Sequence, residues 1–392
     1  MRRRIMAWSA ALALTLAGCG APSPTAAPPS PSLPDSPSSA ESSSPAPAPS
    51  VDCVTATLGR LSLTEQAGQL LMVGVEVDAP SGLGDTVRRY HLGGVFLRGR
   101  SARDAAGLRG DIAALQKRAT VPLLVSLDQE GGNVQTLKGA DFPALPTAEK
   151  LGAAPAATIR ATTQGSARRL AGIGVSMNLA PVADTVPASL GEANPPIGFW
   201  HRQFGSDPAL VAADLRTVVP ASQDAGVLTA LKHFPGLGRT RANTDTSADA
   251  VDATTTANDP YLEPFRAGIE AGSSAVMISS ARYPKLDGDT IAAFSEPIVT
   301  GLLRDGLGFD GLIMSDDLGA AKAAGGVPVG ERAVRFVAAG GDEVLTIRPP
   351  DAAPMAAALI DRAGRDAAFR SRVTDAARHV LQAKERAGLL RC

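Results

Sequence analysis

Between residues 70 and 347 the chain repeats one pattern eight times, a short apolar run followed by a longer amphipathic stretch. The runs are Leu70–Val75, Gly94–Leu97, Pro122–Leu127, Val175–Leu179, Val227–Leu231, Ala275–Ile278, Gly311–Met314 and Glu343–Ile347. Runs this short and this apolar read as strands buried on both faces. The stretches between them, among them Ala102–Arg118, Ala156–Leu170, Pro208–Asp224 and Ser295–Leu307, carry apolar residues at helical spacing. Ser62-Leu63-Thr64-Glu65 reads as a capping box that opens a helix ahead of the first strand. Strands alternating with helices predict an α/β fold with a parallel sheet. Eight is the number that closes a (β/α)8 barrel, and a doubly wound open sheet is the alternative.

In either sheet, chemistry sits where strands end at their carboxyl side. The third run ends in Asp128-Gln129-Glu130-Gly131-Gly132, and the fourth leads into Asn178-Leu179-Ala180-Pro181-Val182-Ala183-Asp184. The fifth ends in Lys232-His233-Phe234-Pro235-Gly236, and the seventh in Ser315-Asp316-Asp317. Any one of these, Ser315 or Asp316 for instance, reads equally well as a helix cap. Four together predict a pocket that grips hydroxyl groups through carboxylate, ammonium and imidazole, as a sugar site does.

Ahead of the repeats the composition changes twice. Arg2, Arg3 and Arg4 precede the apolar stretch Ile5–Leu16, the layout of an export signal too short to span a bilayer comfortably. Leu16-Ala17-Gly18-Cys19 resembles the lipobox of bacterial lipoproteins. That likeness implies a signal peptide over residues 1–18, cleavage before Cys19 and lipidation of Cys19, hence anchoring on the outer face of the bacterial cell membrane. Ala21 to Ser50 holds ten Pro and ten Ser and no aromatic residue, so it predicts a disordered tether within residues 19–52. Fully extended, such a tether reaches up to ~90 Å. The remaining domain spans 53–392.

With Cys19 lipidated, three cysteines leave one pair, Cys53 and Cys392, which flank the domain. Export permits oxidation and closed barrels bring their termini together, so a Cys53–Cys392 disulfide is expected; two free thiols are the alternative. A formal net charge of −1 offers no field to recruit nucleic acid. The four histidines, His91, His201, His233 and His379, lack metal-ligand spacing, so no metal and no cofactor is called for. Phe199 and Trp200, just before Arg202, read either as a sugar-stacking pair or as packing.

From about Leu61 to Leu345 the chain resembles the family 3 glycoside hydrolases, and within them the single-domain β-N-acetylglucosaminidase branch. Asp128–Gly132 is similar to that family's D-x-E-G-G, Asn178–Asp184 to N-x-A-P-V-x-D, and Arg202-Gln203-Phe204-Gly205 with Asp207-Pro208 to R-S-F-G-x-D-P. Lys232–Gly236 matches K-H-F-P-G, Leu302 through Asp316 the nucleophile segment, and Ala339-Gly340-Gly341-Asp342 resembles A-G-x-D. The resemblance to this single-domain branch implies a barrel without a second sandwich domain. The resemblance implies that Asp316 is the nucleophile of a retaining double displacement, and that Asp128, Arg202, Lys232 and His233 bind the sugar.

Three positions depart from the pattern. In this branch a loop after K-H-F-P-G carries D-S-H, whose histidine is the acid/base; counting without a gap, this chain has Asn243-Thr244-Asp245 there. A carboxylic acid with a raised pKa performs the same proton transfers, so Asp245 is the expected acid/base, with Asp249 the weaker candidate. Asn133 and Thr136 stand where arginines are usual, and Ser280 where a histidine commonly follows the sixth strand.

The resulting expectation is an exo-acting, lipid-anchored, monomeric hydrolase that removes non-reducing β-N-acetylglucosaminyl residues, with cell-wall peptidoglycan fragments as substrate. The alternatives are a β-glucosidase, a phosphorylase of the same family, or a glycan-binding lipoprotein whose catalysis has lapsed.

Overall fold

The structure, a computed structural model, describes residues 52–392 apart from Asp289 and Arg391. The expectations for the signal peptide, Cys19 and the tether lie outside the described residues. Eight parallel strands form one sheet: β1 (Leu71–Glu76), β2 (Gly94–Arg98), β3 (Leu124–Leu127), β4 (Met177–Asn178), β5 (Leu228–Phe234), β6 (Ala275–Ile278), β7 (Leu312–Ser315) and β8 (Val344–Thr346). Each strand from β1 to β6 pairs with the next in sequence, and β1 also pairs with β8. A parallel bridge between Met314 and Glu343, with Ser315 N–H donating to the Glu343 carbonyl at 3.0 Å, brings β8 back beside β7. The sheet is therefore a barrel, as the count of apolar runs predicted, and not an open doubly wound sheet.

Because strand side chains alternate, one set fills the barrel and the other meets the helices. Met72, Phe96, Leu124, Met177, Leu228, Met277, Met314 and Leu345 pack inside. Val380 and Ala383, from the helix Ala367–Arg386, join that cluster, so the last helix plugs the end where strands begin. Lys384 and Glu343 are fully buried under this plug. Burial pushes the Glu343 carboxyl up and the Lys384 ammonium down, each partly offset by the other's charge. The capping box forms as expected: the Ser62 hydroxyl accepts from Glu65 N–H at 3.3 Å, and Glu65 accepts from Ser62 N–H at 2.8 Å.

Two elements differ from expectation. The stretch predicted as an α-helix over Ser295–Leu307 winds as a π-helix over Pro297–Gly306. It ends on a five-residue bond from Leu307 N–H to the Leu302 carbonyl. The fourth run pairs as a strand only over Met177–Asn178; Leu179 N–H still donates to the Leu127 carbonyl at 2.9 Å, and Pro181, two residues further, has no N–H to donate. At the other pole, Cys53 and Cys392 form a disulfide with Cα atoms 5.6 Å apart across a sequence separation of 339, joining the first described helix to the chain's end.

Candidate active site

The carboxyl ends of the strands open into a cavity of about 550 Å³, lined by Asp128, Arg202, Lys232, His233, Asp245 and Asp316 among others. All six residues singled out in the sequence for sugar binding and catalysis thus meet in one pocket.

Asp128 leaves β3 just before a short hairpin, Gln129–Gly131 with Val134–Gln135. The hairpin turns on Gly131 and Gly132, at φ 111° and 56°. A Cβ on Gly131 would lie 2.1 Å from the Pro146 carbonyl oxygen, so the glycine pair is required by both backbone and space. Asn178 pins this turn to β4, accepting from Gln129 N–H at 2.9 Å and donating to its carbonyl at 3.2 Å. The turn carries Glu130 inward. Lys232 Nζ, at the end of β5, lies 2.6 Å from Asp128 Oδ1 and 2.6 Å from Glu130 Oε1. Arg202 donates to both Glu130 oxygens at 2.8 Å, through Nε and Nη2, and to the Pro196 carbonyl at 2.9 Å through Nη1.

Glu130 was not singled out in the sequence, yet it organises this wall. Burial alone would raise its pKa, but Arg202 and Lys232 outweigh that and hold it at about 2. Burial likewise lowers the Lys232 ammonium's pKa, and the Asp128 and Glu130 charges more than restore it. Lys232 is therefore a fixed cation that offers its remaining N–H to a ligand on the pocket floor. Arg202 is largely committed to Glu130, so its contribution is to hold the wall as much as to reach a ligand.

Asp184 is the second residue whose role the sequence did not reveal. It is fully buried six residues past Asn178 and accepts from His233 Nδ1 at 2.7 Å, His233 N–H at 3.2 Å and Leu237 N–H at 2.7 Å. This fixes the imidazole so that Nε2 faces the pocket side, 3.5 Å from Arg202 Nη2.

At the end of β7 three consecutive side chains divide the work. Ser315's hydroxyl accepts from Leu345 N–H at 2.9 Å and ties β7 to β8. Asp317 caps the following turn, accepting from Gly319, Ala320 and Ile347 N–H groups. Burial raises its pKa, and those bonds only partly counter it. Asp316 accepts one bond, from Asp317 N–H to Oδ1 at 2.8 Å; Oδ2 has no protein partner among the described residues. Asp316 is thus the strand-end carboxylate left free to face the cavity, while its neighbours do the capping.

Asp245 reaches the same cavity from the loop after β5. The loop docks on the segment that follows Asp316: Ala323 N–H donates to the Thr244 carbonyl at 3.1 Å, and Lys322 N–H to the Asp245 carbonyl at 3.4 Å. Asn243 adds a local turn, its Oδ1 accepting from Asp245 N–H at 2.9 Å. The residue keeps open surface, yet protein atoms crowd its carboxyl; that burial first, then the Asp316 charge, raises its pKa to about 6. Water reaching the loop screens part of this coupling. Asp249 is not brought in. It lies on an adjacent surface groove, 89% exposed and 3.4 Å from Arg282.

Of the departures, Asn133 lines the pocket and its carbonyl accepts from Arg100 at 3.1 Å. Thr136 is buried in the hairpin frame, its N–H donating to the Asp128 carbonyl at 2.9 Å. Ser280 is buried, with its hydroxyl unpartnered among the described residues, and does not line the cavity.

Residues 62–383 match the model of the glycosyl hydrolase family 3 N terminal domain. A β-hexosaminidase of Xanthomonas oryzae pv. oryzae is 35% identical over 281 residues, covering 68% of this chain and 79% of the relative. The crystal structure of a β-N-acetylhexosaminidase from Beutenbergia cavernae superposes with a TM-score of 0.79 at 44% identity, covering 83% of this chain and 99% of that one. A family 3 β-N-acetylglucosaminidase from Paenibacillus superposes with a TM-score of 0.76 at 31% identity, over 84% of this chain and 63% of that one. A barrel of this register, carrying these strand-end residues and these relatives, belongs to glycosyl hydrolase family 3 and is a glycosidase.

Proposed function

We propose that the enzyme removes non-reducing terminal β-N-acetylglucosaminyl residues with retention of configuration. The observation that carries this reading is the docking of the Asp245 loop on the segment beyond Asp316, which sets two carboxyl groups at one cavity, with burial and the Asp316 charge raising the pKa of Asp245. Asp316 attacks the anomeric carbon, and the bond to the leaving oxygen breaks as Asp245 gives that oxygen its proton. The glycosyl-enzyme neutralises Asp316, so the part of the rise in the Asp245 pKa that came from that charge, beside the larger part from burial, is gone and the pKa falls. Asp245 then takes a proton from water, and the water's oxygen displaces Asp316. Asp128, Lys232 and His233 hold the sugar's hydroxyls meanwhile. The names of the matched relatives support N-acetylhexosamine as the sugar. Export and lipidation at Cys19 complete the reading, supported by the leader and tether composition, with cell-wall fragments as the glycan within reach of such an anchor.

The pH profile tests it. An acid with a pKa raised to about 6 is protonated below that value. So kcat/KM on an aryl β-N-acetylglucosaminide should fall about tenfold per pH unit above it. Asp245→Ala should flatten that limb and lower kcat on alkyl glycosides by about 10²–10⁴-fold, with azide restoring turnover of an aryl substrate as the glycosyl azide. An unchanged limb in the variant would move the acid elsewhere. Sugar-1-phosphate formed in phosphate buffer would mean phosphorolysis. Binding without turnover by the folded wild type would favour a lapsed, glycan-binding protein.

Asp184→Asn offers a second check. An amide must turn its NH₂ toward one of three donors that now meet a carboxylate, so His233 loses its fixed orientation. A loss of about 1–3 kcal/mol in sugar binding follows, read as a rise in KM of about 5- to 150-fold. An unaltered KM would remove His233 from the sugar's grip.

A further inference from the structure

Among the described residues only three large apolar side chains are exposed, Phe199 at 54%, Trp200 at 41% and Leu210 at 65%. Two of them are aromatic neighbours at the pocket rim, in a chain with only 4% aromatic residues. Trp200 lines the cavity itself, and Phe199 packs edge-on against it with centroids 5.0 Å apart and an interplanar angle of 85°. An exposed apolar patch at the mouth of a groove is a candidate ligand contact.

The turn that presents the pair is rigid. Asn194 is fully buried and accepts from Ile197 and Gly198 N–H at 3.0 and 2.8 Å. A Cβ on Gly198 would lie 2.1 Å from the Gly191 carbonyl oxygen, so the strand of chain beneath the rings is fitted closely. His201, in the left-handed region at φ 54°, ends the turn and is held by Glu149 Oε2, 2.7 Å from Nδ1. The Asn194 amide also donates to the Leu237 and Thr240 carbonyls at 2.8 Å. Those two residues form the stem of the loop that carries Asp245. The aromatic turn and the acid's loop therefore share one frame.

An acid that protonates the leaving oxygen fixes where the leaving group lies, beneath its own loop. From this we propose that Trp200, backed by Phe199, is the platform of a leaving-group subsite, on which a second pyranose ring of a glycan stacks. This rests on the reading of Asp245 and Asp316 given above. The buried grips Lys232 and His233 occupy the strand end, whereas Trp200 stands at the rim, so the two sugars have separate partners. The subsite selects a glycan over a simple alcohol as leaving group.

The test compares N,N′-diacetylchitobiose with methyl β-N-acetylglucosaminide, two substrates whose leaving groups are both alcohols. In Trp200→Ala the ratio of their kcat/KM values should fall about tenfold, and Trp200→Phe should restore most of it. Trp8 and Trp200 are the chain's only tryptophans. In the full chain carrying Trp8→Phe and Asp316→Asn, emission should therefore move to shorter wavelength when the disaccharide saturates it, and much less with the methyl glycoside. An unchanged ratio, or emission unmoved at calorimetrically verified saturation, overturns the subsite. Failure of the catalytic reading shows differently: wild type turns over neither sugar, while the emission shift still judges the platform.

Discussion

Asp316→Asn is expected to lower turnover of an aryl β-N-acetylglucosaminide by on the order of 10⁴- to 10⁶-fold, the range seen when a covalent nucleophile is removed. The variant should fold normally. Asp316 accepts a single protein bond, from Asp317 N–H to Oδ1, and an asparagine carbonyl oxygen accepts it equally well. Its other oxygen serves no structural partner among the described residues, so the amide NH₂ takes a place that faces the cavity. The strand-to-turn bonds at this corner are made by Ser315 and Asp317, so none of them is lost with the Asp316 charge. An unchanged unfolding temperature with abolished turnover is the expected pair of results. Residual activity within tenfold of wild type would show that the carboxylate assists without forming a bond to the sugar. Asp317→Asn would contrast with it: that side chain accepts three backbone N–H bonds, so its loss should appear first in stability.

The barrel was legible because its signal is local. Each apolar run had to be short, and each ended on a polar group, so Asp128, Lys232, His233 and Asp316 could be assigned to strand ends before any tertiary contact was known. What escaped was whatever depends on how a loop folds back. Glu130 sits one residue from Gln129 in a glycine-rich turn, and only the hairpin aims it at Arg202 and Lys232. Asp184 closes the Asn178–Asp184 segment with nothing local to mark its use, and only its buried bonds to His233 and Leu237 give it a role. An ungapped count reached Asp245, but nothing local separates it from Asp249, four residues on. The difference is made by Ala323 and Lys322, which hold the first over the cavity and leave the second on an outer groove. The π-helix over Pro297–Gly306 escaped for a related reason, since apolar spacing alone does not distinguish a bond to the fourth residue from one to the fifth.

Asp342, which the sequence offered only as the end of A-G-x-D, carries the second large effect, on stability. It is fully buried beside β8. Its Oδ2 accepts from Arg304 Nη2 and Ile313 N–H, each at 2.8 Å, and its Oδ1 from His379 Nδ1 at 2.8 Å and from Arg372. One carboxylate thus joins the π-helix, β7 and the helix that plugs the barrel. Burial alone would raise its pKa, but His379, Arg304 and Arg372 together hold it below the usual carboxylate range. Removing one partner from a buried charge cluster leaves the others uncompensated, so Asp342→Ala should cost about 3–5 kcal/mol. For a domain of roughly 340 residues that lowers the unfolding temperature by roughly 4–7 °C. The sign of the pH dependence follows from the lowered pKa. The contribution is present above the unfolded carboxyl's ~3.9 and is lost as pH falls through the lower folded value. Thermal unfolding of wild type and variant should therefore differ most near neutrality and converge in strong acid. Equal unfolding temperatures at neutral pH would mean that the cations gain as much from water as from Asp342.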